Sequence, residues 1–360
     1  MDQIRSAALT HEEIISRLRG QTLRVTNLKA LFSSWPNPSL NQHYTSLRTT
    51  VDEAIAKVST IRPSSQRRQN DDLALLTSLS YPKAAPEELK TLALYVVWLV
   101  CWDDEVDANE GDLAGDFAKA EAWRNETLQV LSTALGLASD QTPSQTIRQD
   151  PLHDIITTVG QELQAKYTRD QNQHVFDKIA LFVHNCATEQ KIRLDKIVPN
   201  YESYMAMRTE TVAGDTLCSL IEFSHSSTSA SRHDLPAARV DLDKQVSILL
   251  SLLNDLLSLK KELRTDCVIN AVAALMAEDN ALEGVVADII AKMEAAVASF
   301  DRVAEETENS AESEGQRQSW GKYVDGCRSI VTGVLEFTLK SPRYKLASLL
   351  AEDGSLEITL

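Results

Sequence analysis

The chain has 360 residues, 43% of them apolar and 24% charged, ample core material for one large domain or two medium ones. A formal charge of −16 sets up a surface field that repels nucleic acid and anionic membrane, so neither is expected as a partner. Five widely spaced cysteines without a CxxC pair, no N-terminal apolar stretch of signal-peptide length, and a longest apolar run too short to cross a bilayer point to a soluble, cytoplasmic protein with reduced thiols.

Glycine (12) and proline (10) are scarce and strand-like alternation is nearly absent, so an all-α fold is expected. Residues 1–70 are polar, with SSWPNPSLNQ and RPSSQRRQNDD as breakers around a helix near 41–60. They read as an N-terminal strap, not a separate domain. From Asp71 the helical periodicity is regular, over 71–79, 86–108, 113–136, 151–168, 173–193, 199–224, 238–263, 266–277, 280–306 and 316–340. Polar breaks fall at 139–151 and 224–236, and EETENSAESEGQRQ, 305–318, reads as an acidic mobile loop. No repeat of solenoid length is visible and no break is long enough to demand two domains. Residues 71–345 are therefore expected to form a single helical bundle of about ten or more helices, with a C-terminal tail at 346–360.

Two stretches carry candidate chemistry. YVVWLVCWDDEVDANEGD, Tyr95–Asp112, runs eight apolar or aromatic residues into a block of acids. Asp103 and Asp107 share one helix face, with Asp104 rotated from Asp103 by about 100°. Like charges four residues apart destabilise a helix by a few tenths of a kcal/mol unless cations bridge them. The block is either a solvated helix tip or a set of oxygen ligands that suits Mg²⁺. In LLNDLLSLKKEL, 252–263, an amide, a hydroxyl and a carboxylate (Asn254, Ser258 and Glu262) stack along one stripe of a leucine-rich helix. Each would cost about 1–3 kcal/mol if buried without a partner. They form either a hydrogen-bond network between helices or a second oxygen site for Mg²⁺. The histidines do not cluster and none has zinc-ligand spacing. Asn70, Asp71 and Asp72 repeat an acid pair, but at a helix start, where such residues act as caps.

Both sites in one helical chain resemble the class I terpene synthases. DDEVD matches the aspartate-rich motif of that family at Asp103, Asp104 and Asp107. NDLLSLKKE, about 150 residues on, matches its second metal motif at Asn254, Asp255, Ser258 and Glu262. Arg208, 46 residues before Asn254, matches the diphosphate-sensing arginine, Lys261 the basic residue of the second motif, and Arg343 and Tyr344 the Arg–Tyr pair near the C-terminus. The likeness covers roughly residues 71–345 and is to single-domain fungal and bacterial sesquiterpene cyclases. Thr211 and Val212 depart from the residues the family often carries just after its sensor. Phe337 stands where relatives often have a cavity-facing Trp.

The resemblance implies the class I terpenoid synthase fold around a deep apolar cavity. It also implies a Mg²⁺-dependent lyase of secondary metabolism that ionises a prenyl diphosphate and cyclises the carbocation to a sesquiterpene hydrocarbon or alcohol. Farnesyl diphosphate is the expected substrate. Three Mg²⁺ ions, replaceable by Mn²⁺, would be held by Asp103, Asp104, Asp107, Asn254, Ser258 and Glu262. Arg208, Lys261, Arg343 and Tyr344 would grip the diphosphate, and Asp103, Arg208, Asn254, Ser258 and Glu262 would carry catalysis. Trp98, Phe223 and Phe337, with Tyr95 and Phe182, are candidates to line the cavity, where aromatic faces stabilise cations; each also suits plain core. Trp98 lies five residues before Asp103, a net rotation of about 140°, so the two need not share a face. The resemblance leaves room for a homodimer. Two rivals stand beside it. A chain-elongating prenyl diphosphate synthase would carry a second DDxxD where NDLLSLKKE stands, and an inactive helical binding protein would lack motif members.

Overall fold

The computed structural model describes residues 9–106, 111–138, 149–225, 237–278 and 280–360. Thr10 opens the first helix, α1 (His11–Leu18), with a capping box: its hydroxyl accepts from the Glu13 amide, and the Glu13 carboxylate accepts from the Thr10 amide at 2.8 Å. The strand β1 (Thr22–Val25) then pairs antiparallel with β2 (Leu356–Thr359), in a register from Thr22↔Thr359 to Val25↔Leu356. Leu23, Val25, Leu356 and Ile358 are buried, so alternation lays one face of this ribbon on the core. The fold is all-α with this one small clasp added.

Helix α2 (Tyr44–Ser59) follows, and the RPSSQRRQN breaker is wound into 3₁₀ turns over Pro63–Asn70. Asp72, left-handed at φ 56°, caps α3 (Leu73–Ser80) by accepting from the Leu75 amide at 3.1 Å. The long helix α4 (Pro86–Val106) starts on a proline with Glu87 and Glu88 in its first turn. It is apolar nearly all round because α2 and α3 and, later in the chain, the helix over Pro151–Lys166 pack about it. Next come α5 (Phe117–Ala134), α6 (Pro151–Lys166) and α7 (Arg169–Leu194). Of the polar stretch at 139–151, residues 139–148 lie outside the described residues, as do Asp107 and residues 226–236 of the 224–236 break.

Residues 199–224, which read as one helix, are three: α8 (Tyr201–Thr211), α9 (Gly214–Cys218) and α10 (Ile221–Ser224). Ala213 takes the left-handed conformation at φ 62° and breaks the first from the second. Packing imposes this break. Gly214 lies so close to α11 (Arg239–Leu263) that a Cβ there would sit 2.6 Å from Ser247 Oγ and 2.9 Å from its Cα. Helix α12 (Ala271–Met276) is shorter than the expected 266–277, because Asp266 is left-handed and Asn270 caps the start. The acidic stretch 305–318 is not a long loop. Helix α13 (Leu282–Asn309) runs into it from one side and α14 (Glu314–Lys340) from the other, leaving 310–313 between them. Ser313 caps α14, and the acids are the solvated ends of two helices, whose composition resembles that of a loop.

Helix α11 packs on α8, α9, α12, α13 and α14, and α14 packs on α3. At that last contact a Cβ on Gly333 would lie 2.8 Å from the Leu79 carbonyl, so only glycine permits the approach. Helices α4 and α11 both line one cavity, to which α3, α7, α8 and α14 also contribute.

Behind that cavity, where α9, α11 and α14 meet, Asp243 is buried and accepts the Tyr323 hydroxyl. It shares its pocket with the thiols of Cys218 and Cys327, the three ligand atoms lying within 4.8 Å of one another. Burial pushes the Asp243 carboxyl up to about 7; Asp215 adds to the rise, while Tyr323, Arg239 and Lys178 oppose it. Such a group holds its proton more tightly folded than unfolded. Its stabilising contribution is full below the ordinary value of 3.8 and is lost as pH rises through about 7. Asp243→Asn should therefore raise the thermal midpoint relative to wild type at about pH 8 and bring no such gain near pH 4. Parallel pH profiles for the two proteins would contradict this.

Candidate active site

Three consecutive acids at the end of α4 point three ways. Asp103 lines the cavity, where its Oδ1 lies 4.0 Å from the Cys186 thiol. Asp104, at 4% exposure, faces the back of the helix and is gripped through both oxygens by Arg68, with Arg67 at 3.4 Å. Glu105, at 1% exposure, is held by Arg62 and by the Ser64 hydroxyl at 3.1 Å. Burial raises the Glu105 carboxyl and Arg62 opposes the rise. Arg62 also reaches Asp150, which accepts the Trp123 indole N–H at 2.9 Å. The residues 62–71 therefore anchor the back of α4 and leave Asp103 presented to the cavity.

The facing wall is α11. Asn254 Oδ1 accepts from Arg208 Nη2 at 2.8 Å, and the Ser258 hydroxyl donates to Glu262 Oε1. Asn270 Nδ2 donates to Glu262 Oε2 at 2.8 Å and to the Asp255 carbonyl at 2.9 Å. Asp255 faces inward, fully buried, and fixes the helix: it accepts from the Tyr204 hydroxyl, the Ala271 amide at 2.8 Å and Arg208 Nε at 3.2 Å. Burial, reinforced by the charge of Asp255, pushes the Glu262 carboxyl up to about 7. Arg208 stays charged despite its burial because Asp255 lies against it.

Arg208, Lys261, Arg343 and Tyr344 all line the same cavity as Asp103, Asn254 and Glu262. So do Thr211, Val212 and Ala213 at the break between α8 and α9. Asp215, held by Lys178 and by the Ser247 hydroxyl at 3.0 Å, pins the start of α9 beside that break. The cavity measures about 230 Å³ and its apolar lining comes from Leu73, Leu76, Leu99, Val100, Phe182 and Phe337. Phe337 meets Tyr344 edge-on, with ring centroids 6.5 Å apart.

Trp98, Phe223 and Tyr95 are not among the lining residues. Trp98 packs, with tilted rings, between Tyr95 and Trp102, and Phe223 packs edge-on against Tyr167. Ser258 and Asp104 are likewise off the lining, Ser258 one turn from Asn254 and Glu262 and bonded to the latter. The donors on the two walls are a carboxylate on α4 and an amide oxygen, a hydroxyl and a carboxylate on α11. This all-oxygen set fits a hard divalent cation.

Residues 94–299 match the family model described as terpene synthase family 2, C-terminal metal binding. The chain belongs to this terpene synthase family. Sesquiterpene cyclase hepA of Aspergillus oryzae is 26% identical to this synthase over 359 residues, covering 96% of this chain and 95% of that protein. Terpene cyclase braA of Annulohypoxylon truncatum is 22% identical over 343 residues, covering 92% and 88%. Among solved structures, germacradien-4-ol synthase from Streptomyces citricolor superposes with a TM-score of 0.70 at 17% identity, over 84% of this chain and 96% of that one. Linalool/nerolidol synthase from Streptomyces clavuligerus, in complex with 2-fluorogeranyl diphosphate, gives 0.69 at 14% identity, over 85% and 97%. The synthase thus has the all-α class I fold, and its family domain is a metal-binding one.

Several residues of the synthase site escape sequence reasoning. Leu99 and Val100 carry a usable signal, since they lie four and three residues before Asp103 and so share its face. Arg62, Arg67 and Arg68 sit in what reads as a breaker, and only the need of a buried acid for a cation points to them. Asn270 reads as an ordinary helix cap, which it also is, accepting from the Val272 amide at 2.8 Å. Asn270→Ala should leave Glu262 Oε2 and the Asp255 carbonyl without their donor and weaken metal activation by about 10–100-fold. Titration of turnover against metal concentration reads this; an unchanged midpoint would remove Asn270 from the site.

Proposed function

We infer that this terpene synthase is a Mg²⁺-dependent cyclase that ionises farnesyl diphosphate and folds the resulting cation into a sesquiterpene hydrocarbon or alcohol. One observation carries this reading: Asp103 on α4 and Asn254 and Glu262 on α11 line one cavity together with Arg208, Lys261, Arg343 and Tyr344 and with the apolar Leu73, Leu76, Leu99, Val100, Phe182 and Phe337. Such a lining offers cations and oxygen donors to a diphosphate and apolar side chains to a prenyl chain. The ligand named for the Streptomyces clavuligerus structure, a prenyl diphosphate analogue, supports the same substrate class.

Asp103, with Asp107 of the same motif, and Asn254, Ser258 and Glu262 on α11 would hold the Mg²⁺, which Mn²⁺ could replace; Asp104, expected from the motif to join them, is instead taken up by Arg68 on the back of α4. Bound there, the metal supplies neutralisation of the diphosphate charge, making it a better leaving group. Arg208, Lys261, Arg343 and the Tyr344 hydroxyl donate to the diphosphate oxygens as charge builds on them. The C–O bond breaks heterolytically, its electron pair leaving with diphosphate and an allylic cation remaining. No general base is required for that step. Leu73, Leu76, Leu99 and Val100 keep water from the cation, and Phe182 and Phe337 offer it ring faces. A distal double bond then closes the ring, and loss of a proton or capture of water ends the sequence.

The catalytic unit in this reading is 71–345, with 1–70 as a strap whose β1 clasps β2 in the C-terminal tail. No described helix is long and apolar enough to cross a membrane; none of the five cysteines is in a disulfide, as suits the reducing, cytoplasmic setting we propose. The second reading, chain elongation, is disfavoured by Asn254 and Ser258, where a second aspartate-rich motif would be needed.

Incubating the protein with Mg²⁺ and geranyl, farnesyl or geranylgeranyl diphosphate and identifying the extractable products tests the reading. Cyclic C15 products from farnesyl diphosphate are expected. Longer diphosphates would establish elongation instead, and no turnover would end both enzyme readings. Asp103→Asn and Glu262→Gln should each cut turnover by about 100-fold or more, as loss of one transition-state contact does, with the helical circular dichroism intact. Wild-type rates in either variant would overturn the metal assignment.

A further inference from the structure

Asp71 belongs to neither metal motif and reads in the sequence as part of a helix start, yet it holds both Arg68 behind α4 and Arg343 in the cavity lining. Its Oδ2 accepts from Arg68 Nη1 and from Arg343 Nη1, the latter at 3.3 Å. Its carbonyl accepts the Ser341 hydroxyl at 3.0 Å, and Ser341 Oγ in turn accepts from the Arg343 amide at 3.3 Å. The backbone entering Arg343 and the tip of its side chain are thus both tied to one residue. Arg68, 3% exposed, also donates through Nε and Nη2 to Asp104. A continuous chain of charge therefore runs from the back of the first metal helix to the C-terminal arginine: Asp104, Arg68, Asp71, Arg343.

The two cations on Asp71 are unequal. Arg68 is buried and clamped between two carboxylates, whereas Arg343 lines the cavity and holds Asp71 by a longer contact. A guanidinium offers five N–H donors in a rigid plane. Fixing Nη1 on Asp71 therefore orients the plane and leaves other edges for an anion in the cavity. Without that contact Arg343 would sample its many rotamers, and that freedom would have to be given up when the anion arrives.

We propose that Asp71, itself held by Arg68, is a positioning residue that orients Arg343 toward the diphosphate group of the substrate. This rests on the reading of Arg343 as a diphosphate ligand. Asp71 touches no substrate in this scheme and acts only through Arg343.

A double-mutant cycle tests it, with inorganic diphosphate plus Mg²⁺ as the probe and calorimetric affinity as the readout. Asp71→Asn keeps the size and an accepting oxygen while removing the charge, and it should weaken diphosphate binding about 5–10-fold, the loss expected from an unordered arginine. The same substitution in an Arg343→Gln background should have no further effect. Asp71→Glu should recover part of the affinity, and kinetics should show KM for the prenyl diphosphate rising more than kcat falls. A merely structural role for Asp71 predicts losses that multiply with those of Arg343→Gln, and that outcome, or undiminished binding in Asp71→Asn, overturns the proposal. Thermal midpoints measured for all variants separate unfolding from lost orientation. Should wild type itself fail to bind diphosphate or turn over any prenyl diphosphate, the functional reading falls and the proposal with it; binding by wild type with an additive cycle removes the proposal alone.

Discussion

Asp104 sits on a helix whose neighbours are tryptophan, cysteine and valine, and a carboxylate buried there must be met by a cation or give up its charge. Arg68 meets it with a two-pronged contact, and Arg62 does the same service for Glu105 one residue on. Pairs of this kind are expensive to break, about 3–5 kcal/mol once one partner is removed, because the other is left charged and dry. The rest of the site depends on them. With Asp104 and Glu105 anchored toward the 62–71 segment, the end of α4 can rotate neither way, and Asp103 is left as the acid that faces the cavity.

The same principle recurs on the opposite wall. Asp255, fully buried, is satisfied by Tyr204, Arg208 and the first amide of α12, and so fixes α8, α11 and α12 to one another. Asn254 and Glu262 then project from a helix that cannot shift. The two walls answer how a chain of net charge −16 accommodates an anion. Three cations, Arg208, Lys261 and Arg343, converge with the acids in the cavity lining, and divalent metal on the oxygen donors would reverse the local field while the outer surface stays acidic.

Much of this was legible in the residues. The polar stripe of Asn254, Ser258 and Glu262 on a leucine-rich helix and the abrupt change from YVVWLVCW to acids mark both walls, and helical periodicity locates α4, α6, α7, α11 and α13 to within a few residues. What could not be read is what tertiary packing decides. Ala213 is a good helix former, and it is left-handed because Gly214 must approach Ser247 and Asp215 must reach Lys178. The 62–71 segment looks like a breaker because its arginines are polar by composition, although Arg68 is buried against two acids distant from or adjacent to it in sequence. The acidic ends of α13 and α14 read as a loop because solvation, and not helical order, sets their composition. Trp98 illustrates the limit of reading aromatics: it sits on the same helix as Asp103 but rotated by about 140°, and it packs among buried rings outside the cavity lining.

The central claim is that the two helical walls act on one anion between them. A crystal structure of the full chain grown with Mn²⁺ and inorganic diphosphate, with anomalous scattering used to locate the metal, addresses it directly. The account predicts Mn²⁺ bound both to Asp103 and to Asn254, Ser258 and Glu262, with diphosphate bridging the two sets and in contact with Arg208 and Arg343. Metal confined to one helix, or diphosphate bound away from α11, would contradict it.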